Sequence, residues 1–228
     1  NTFIVLNDGF TYLPNDTWKG AGVAIPVFSL RSKNGLGVGE FTDIKLLVDW
    51  AKKVGLKKIQ LLPINDTTAT HSWKDSYPYA AISAFALHPI YLNLDTLIPT
   101  SNINLIAKLS DAKQKLNALT VLDYEEVVKI KYQILDEVYT LIGEKSLASK
   151  GFKDFYTKHQ HWLEPYAAFC YCRDKYGTID FNQWPTHNTY SESDFKSLVE
   201  PDAAVKLIIE KYYFIQYLLD VQLREATA

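Results

Sequence analysis

The sequence predicts an α/β core that carries a large helical insertion, and three patterns predict it. Two continuous apolar runs of strand length, Gly22–Phe28 and Lys58–Pro63, flank one amphipathic helical stretch. From Ile103 onward the apolar spacing is mostly helical. A strand, a helix and a strand this closely spaced make a βαβ unit, which is parallel and nearly always right-handed. At 228 residues the chain is long enough for a real core, since folding at this size buries about 70% of the unfolded surface.

In chain order, residues 1–20 hold a short apolar run at Phe3–Leu6, an Asn-Asp-Gly turn at Asn7–Gly9 and Pro14-Asn15-Asp16, and read as a linker. Gly22–Phe28 does not alternate in polarity, which predicts a strand covered on both faces, although Pro26 removes a ladder donor. Thr42 is placed to cap a helix over Asp43–Val54 with Ile44, Leu47, Val48 and Ala51 on its apolar face, and Gly55 ends it. After Lys58–Pro63 comes a polar loop through Ser76, then an aromatic and small-residue run, Tyr77–Leu94. Helices follow over Ile103–Leu119, Tyr124–Ile142, Phe152–Gln160, Trp162–Lys175 and Ala203–Ala226, with the loop Gly177–Pro201 before the last. This divides the chain into a linker (1–20), two β/α units with a loop (21–95), a helical insertion (96–200) and a final helix (201–228).

Composition narrows the function. With 24 Lys and Arg against 26 Asp and Glu, the net charge is −2, so the basic field that drives nucleic-acid binding is missing. No run of 18 apolar residues exists to span a membrane. The two cysteines and the lack of a secretory leader pattern favour a reduced, cytoplasmic setting. The chain has no Met and stops inside a helical pattern without a C-cap glycine, which reads as an excised segment.

Two clusters could carry chemistry. Gly35-Leu36-Gly37-Val38-Gly39 lies between a strand and a helix, where a phosphate loop would be, but its third glycine comes one position too early for the dinucleotide fingerprint. A nucleotide-dependent enzyme is therefore one alternative, and a loop shaped by glycines is another. The second cluster, Asn65-Asp66-Thr67-Thr68 and His71 to Tyr79, follows the C-terminal end of the second strand, where sites of parallel α/β folds gather. Polar groups beside aromatic rings suit a sugar, whose hydroxyls need hydrogen-bond partners and whose C–H face packs flat on a ring. The competing reading is a solvated loop over a few packed tyrosines. His159, His161, Cys170 and Cys172 do not make a metal site by spacing, because helical residues two apart point about 200° apart; the cysteines are expected in the core. His88, before Pro89, reads as a hydrogen-bonded structural histidine. No pair of carboxylates is recognisable by spacing as a nucleophile and acid/base couple.

The order of these motifs resembles the 4-α-glucanotransferases of glycoside hydrolase family 77, the amylomaltases and disproportionating enzymes. The stretches that carry the likeness are AGVAIPVFSLRS (21–32), GLGVGEF (35–41), LLVDWAKKVGLKKIQLLPIND (46–66) and DSYPYAAISAFALHPIYL (75–92). In the helical half they are VLDYEEVVKIKYQIL (121–135), WLEPYAAFC (162–170) and YYFIQYLLDVQLREA (212–226). The form is closest to that of plant cytosolic disproportionating enzyme and related bacterial proteins, in which a starch-binding module precedes the catalytic domain; residues 1–20 would then be the linker from one.

The resemblance implies the N-terminal portion of a (β/α)8 TIM barrel, its first two strands and a large helical insertion, with the last helix leading toward a third strand outside the chain. It implies transfer of α-1,4-glucan segments to glucose or glucan acceptors by a retaining mechanism, no metal or organic cofactor, and maltooligosaccharides as partners. The catalytic Asp, Glu and Asp of the family lie on later strands, so no catalytic residue is assigned here. Tyr79 matches the family tyrosine beneath the glucose next to the cleaved bond, and Asp75 and Ser76 match the residues before it, with Tyr77 as an extra residue between. Trp73 matches an outer glucan-contacting aromatic, and Asn65 and Asp66 line the same rim. The other class of function is a glucan-binding or structural module without catalysis. Two barrel strands leave sheet edges open, so self-association of the isolated chain is a further expectation.

Overall fold

The computed structural model describes residues 19–189, 191, 193, 198 and 203–228. The expected linker, apart from its last two residues, and parts of the loop before the final helix lie outside the described residues. Strand β1 (Gly22–Ile25) pairs in parallel with β2 (Lys58–Leu61), Gly22 opposite Lys58 and Ile25 opposite Leu61. Helix α1 (Phe41–Lys53) connects them and completes the βαβ unit. Four long helices follow: α2 (Ile103–Asn117), α3 (Tyr124–Ala148), α4 (Lys150–Tyr176) and α5 (Ala203–Thr227).

Several details differ from the sequence reading, each for a physical reason. Proline 26 ends β1, and a single 3-10 turn, Val27–Ser29, replaces its expected second half. Neither strand is covered on both faces: their residues alternate between exposed and half-buried, because α1 packs chiefly on α5. For the same reason Val48 of α1 is exposed and Leu47 only half-buried, while Phe41, Ile44 and Ala51 are buried. The N-cap of α1 is Glu40 instead of Thr42, with the Asp43 carboxylate accepting the Glu40 N–H at 2.8 Å; this places negative charge at a helix start, where it is favoured. The two helices expected over 152–175 are one helix, α4, which runs straight through Pro165. The caps of α2, α3 and α4 follow the usual rule, since Asn102, Asp123 and Ser149 each accept a backbone N–H three residues on.

The core has two parts. One joins Leu36, Val38, Phe41 and Ile44 to α2, α3 and the C-terminal half of α5; the other joins Phe152, Phe155, Leu163 and Cys170 of α4 to Ile209, Tyr212 and Tyr213 of α5. Helix α5 serves both. It also holds the extended segment between β2 and α2 through two glutamines. Gln216 accepts the Leu87 N–H and donates to the Leu87 carbonyl, and Gln222 does the same with Asn93, all four contacts at 2.8 Å. Each side-chain amide thus acts as a strand neighbour would, satisfying buried backbone groups that have no sheet to join.

Candidate functional site

The loop after β2 closes on itself. Asn65 bridges Leu87, the Asp66 N–H donates to the Ala86 carbonyl at 2.9 Å, and the His88 N–H donates to the Ile64 carbonyl at 3.0 Å. The excursion 67–85 is therefore held at its stem and carries Trp73, Asp75, Ser76 and Tyr79, while Asn65 and Asp66 belong to the stem itself.

The structure separates those residues into two layers. Asp66 and Asp75 are buried, with their carboxylates already engaged. Asp66 accepts the Thr68 N–H and hydroxyl at 2.9 and 2.6 Å and the Tyr166 hydroxyl at 2.7 Å. Asp75 accepts the Thr70 N–H at 2.9 Å and the Thr70 hydroxyl at 3.0 Å, and its backbone carbonyl accepts the Thr67 hydroxyl. Asp66 thus lies beneath the rim on which the sequence reading put it. Above this layer Trp73, Tyr77 and Tyr79 stand 65%, 61% and 59% exposed. The Tyr77 and Tyr79 rings lie 5.5 Å apart at 49°, a separation typical of tilted aromatic pairs.

Beside the buried layer is a small, mostly apolar space with a few polar groups in its wall. Asn65, Asp75 and Ser76, with Phe28, His88 and Tyr124, line a cavity of about 140 Å³. Ser76 and Tyr124 also border a surface groove of about 600 Å³ that runs past Trp73, Val121 and Glu125. Glu125 accepts the Trp73 backbone N–H at 3.1 Å. The groove and the cavity thus share Ser76 and Tyr124, and Trp73 borders the groove, while Tyr77 and Tyr79 line neither.

His88 closes the floor. It is buried, its Nδ1 accepts the Ile90 N–H at 3.1 Å, and its Nε2 lies 3.0 Å from the Tyr124 hydroxyl. Burial pushes its imidazole below the ordinary 6.5, and the Asp66 and Asp75 carboxylates do not outweigh this. A histidine with a lowered folded pKa contributes stability that is present above 6.5 and is lost as pH falls through the folded value. Urea unfolding between pH 7 and 5 is expected to show stability falling with pH, and His88→Gln is expected to flatten that slope. An unchanged slope in the variant would remove His88 as its source.

The residues around the loop that sequence reasoning missed come from the insertion: Tyr124, Glu125, Tyr166, Arg173 and Asp174. Local spacing cannot reveal partners this far away along the chain. The one available signal was the charged pair Arg173-Asp174 in an otherwise apolar helical stretch. Cys170 and Cys172 are free and buried in or against the core, and burial pushes both thiols up, Cys172 to about 11. Among the described residues no group of three or more His, Cys, Asp or Glu could hold a metal ion.

The glycine loop does not present itself to a phosphate. Residues 35–40 are buried beneath the C-terminal end of α2, where Asn117 donates to the Gly35 carbonyl at 2.8 Å. Gly37 has φ +73°, and a Cβ there would stand 2.7 Å from that of Leu116. The start of α1, which a phosphate would need, is taken by the Glu40 and Asp43 carboxylates. The nucleotide alternative loses its site.

Residues 25–228 match the family described as 4-alpha-glucanotransferase. The chain is 43% identical over 226 residues to the 4-alpha-glucanotransferase DPE2 of Oryza sativa subsp. japonica, covering 99% of this chain and 24% of that protein. It is 33% identical over 211 residues to a 4-alpha-glucanotransferase of Chlamydia muridarum (strain MoPn / Nigg), covering 92% of this chain and 38% of that one. It therefore spans well under half the length of these relatives. Its fold is similar to that of amylomaltase from Corynebacterium glutamicum, with a TM-score of 0.65 at 20% identity over 91% of this chain and 28% of the other. With the family pattern running from the last residue of β1 through α5, the chain belongs to the 4-alpha-glucanotransferase family.

Proposed function

We propose that this chain forms a sugar-gripping flank of a cytoplasmic 4-α-glucanotransferase, which moves α-1,4-glucan segments to glucose or glucan acceptors by a retaining mechanism. In this reading β1 and β2 are the first strands of a (β/α)8 barrel, α2 to α4 belong to its helical insertion, and the bond-breaking carboxylates lie outside the chain. The open edges of β1 and β2 are where further strands, or a second copy of the isolated chain, pair.

The observation that carries the reading is the exposed Trp73, Tyr77 and Tyr79 on the loop that also lends Asp75 and Ser76 to a small cavity after β2, in a chain of this family. Tyr79 would lie under the glucose at the cleaved bond and hold the ring as it flattens toward an oxocarbenium ion. Trp73 would support a ring farther out, and Ser76 and Asn65 would offer hydrogen bonds to hydroxyls. Asp66 and Asp75 shape this surface from below. A filled wall excludes water from the acceptor side, which favours transfer over hydrolysis.

Calorimetry with maltoheptaose tests this. Stacking that removes about 55 Å² of apolar surface from water contributes about 1.4 kcal/mol, so Tyr79→Ala is expected to weaken binding about tenfold. Binding that survives this change at full strength would remove the stacking platform, and a wild-type chain that binds no oligosaccharide would overturn the reading.

A further inference from the structure

We propose that Asp174 of α4 is a positioning residue for the glucan-contacting loop: with Arg173 behind it, it holds His71 and thereby sets where Trp73 to Tyr79 stand. The inference rests on the sugar-binding reading above and adds to it the part that the helical insertion plays at that site.

The argument begins with an unusual backbone. His71 has φ +55°, in the left-handed region that residues with a side chain rarely adopt. Such a conformation persists where surrounding contacts over-determine it, and here they come from α3 and α4. His71 Nε2 lies 2.9 Å from Asp174 Oδ1, and its ring meets Tyr132 of α3 edge-on with centroids 6.1 Å apart. Two residues beyond His71 comes Trp73, the first of the exposed aromatics.

Asp174 is itself held from behind. Arg173 is 2% exposed, yet its guanidinium is engaged on three sides: Nε donates to Asp174 Oδ1 at 2.7 Å, Nη1 to the Thr68 carbonyl at 2.8 Å, and Nη2 to the Tyr212 hydroxyl at 3.3 Å. The Tyr212 hydroxyl donates to the other Asp174 oxygen. Burial works to raise the Asp174 carboxyl, but the hydrogen bonds from His71, Arg173 and Tyr212 and the Arg173 charge hold it well below the ordinary carboxylate range. One fixed anion therefore ties α4, α5 and the loop together. Arg173 grips the loop at its buried stem through Thr68, and Asp174 grips it at its exposed turn through His71.

This division of labour matters because Asp66 and Asp75 brace the loop only from within itself and through Tyr166. Among the described residues the far side of the turn has few other fastenings: the Ser72 side chain bonds within the loop, and the Trp73 N–H reaches Glu125. Releasing His71 would leave the stem in place and free the segment that presents the rings. A sugar platform that must be ordered on binding loses affinity, since ordering opposes association.

The test uses the full chain and five proteins: wild type, Asp174→Ala, His71→Asn, the double variant and Asp174→Glu. Asn tolerates the left-handed turn while withdrawing the imidazole, and it leaves the Arg173, Asp174 and Tyr212 cluster intact should Asp174→Ala fold poorly. Hydrogen exchange without sugar is expected to rise about tenfold at residues 70–79 in each variant and, in His71→Asn, to stay unchanged in α4 and α5. Maltoheptaose affinity is expected to fall about five- to tenfold in each single variant and no further in the double than in Asp174→Ala, because both single variants remove the His71–Asp174 contact. Asp174→Glu is expected to recover part of it. Unchanged exchange at 70–79, unchanged affinity, or additive losses in the double variant would each overturn the inference while leaving the sugar-binding reading standing. A wild-type chain that binds no maltoheptaose would overturn that reading, and the glucan role of this clamp with it.

Discussion

Lys131→Met is expected to destabilise the fold by about 3–5 kcal/mol, the cost of removing one partner from a buried ion pair. Lys131 and Glu40 are each 1% exposed and 2.8 Å apart. The lysine also donates to the carbonyls of Ile90 and of Leu92, the latter at 2.6 Å, so three acceptors lose their donor at once. Glu40 would keep Asn93 Nδ2 at 2.7 Å and the Leu36 N–H, too little for a buried carboxylate. Lys108→Met is the matching surface control: its partner Glu137 is about half exposed, and such pairs contribute about 0–1 kcal/mol. Urea unfolding at constant m-value measures both.

The same variant carries a pH signature. Burial pushes the Glu40 carboxyl above its ordinary 4.5, and the attraction of Lys131 is the chief opposing force. Without the lysine the folded value rises further. A carboxyl with a raised folded pKa contributes most below its unfolded value and loses that contribution as pH rises through the folded one. The deficit of Lys131→Met should therefore be smallest near pH 4.5 and grow toward neutrality. A deficit equal to that of Lys108→Met, or one independent of pH, would mean that the pair does not hold the insertion to the glycine loop.

Gly39→Ala is expected to cost at least about 3 kcal/mol, more than most overpacking substitutions. A Cβ at this position would stand 1.9 Å from the Val27 carbonyl oxygen and 2.8 Å from the Leu30 nitrogen. Both are backbone atoms, so no rotamer change can make room. Gly39 also donates its N–H to the Phe28 carbonyl at 3.0 Å, and moving it would shift Glu40, the next residue. Gly55→Ala separates space from conformation, because nothing lies within 4 Å of its Cβ position while its φ is +79°; only the left-handed backbone is penalised there, by roughly 1–2 kcal/mol. Thermal and urea unfolding of the two variants should rank them in that order. Equal costs would mean that the β1 end and the glycine loop can separate without loss, and the close approach would then have no structural role.

The glycine loop shows why motif reading went only part of the way. Spacing showed the departure from the dinucleotide fingerprint but left the nucleotide alternative open, and it left Glu40 without a role. Its role depends on Lys131, 91 positions away, and no local pattern links the two. The helical half was more legible, because the period of buried positions in α2, α3 and α5 is a local property and survives whatever the helix packs against. The division of 152–175 into two helices failed where periodicity is weakest. The double coverage expected for β1 failed because apolar character reports what a strand can tolerate and does not show which helix reaches it.

Read by itself, the order of residues was enough to assign the strand, helix and strand unit, the long helices that follow, the family likeness and the loop that carries the aromatic rings. All of these rest on short-range periodicity and on contiguous motifs. The fold decided which members of that loop face outward. Trp73, Tyr77 and Tyr79 remain exposed, while Asp66 and Asp75 turn inward because Tyr166, Thr68 and Thr70 satisfy their carboxylates there. Buried polar groups are tolerated only where their partners converge; the threonines are local, but for Asp66 the convergence is completed by Tyr166 of α4, packed over a loop a hundred residues earlier in the chain, an arrangement that no sequence interval encodes.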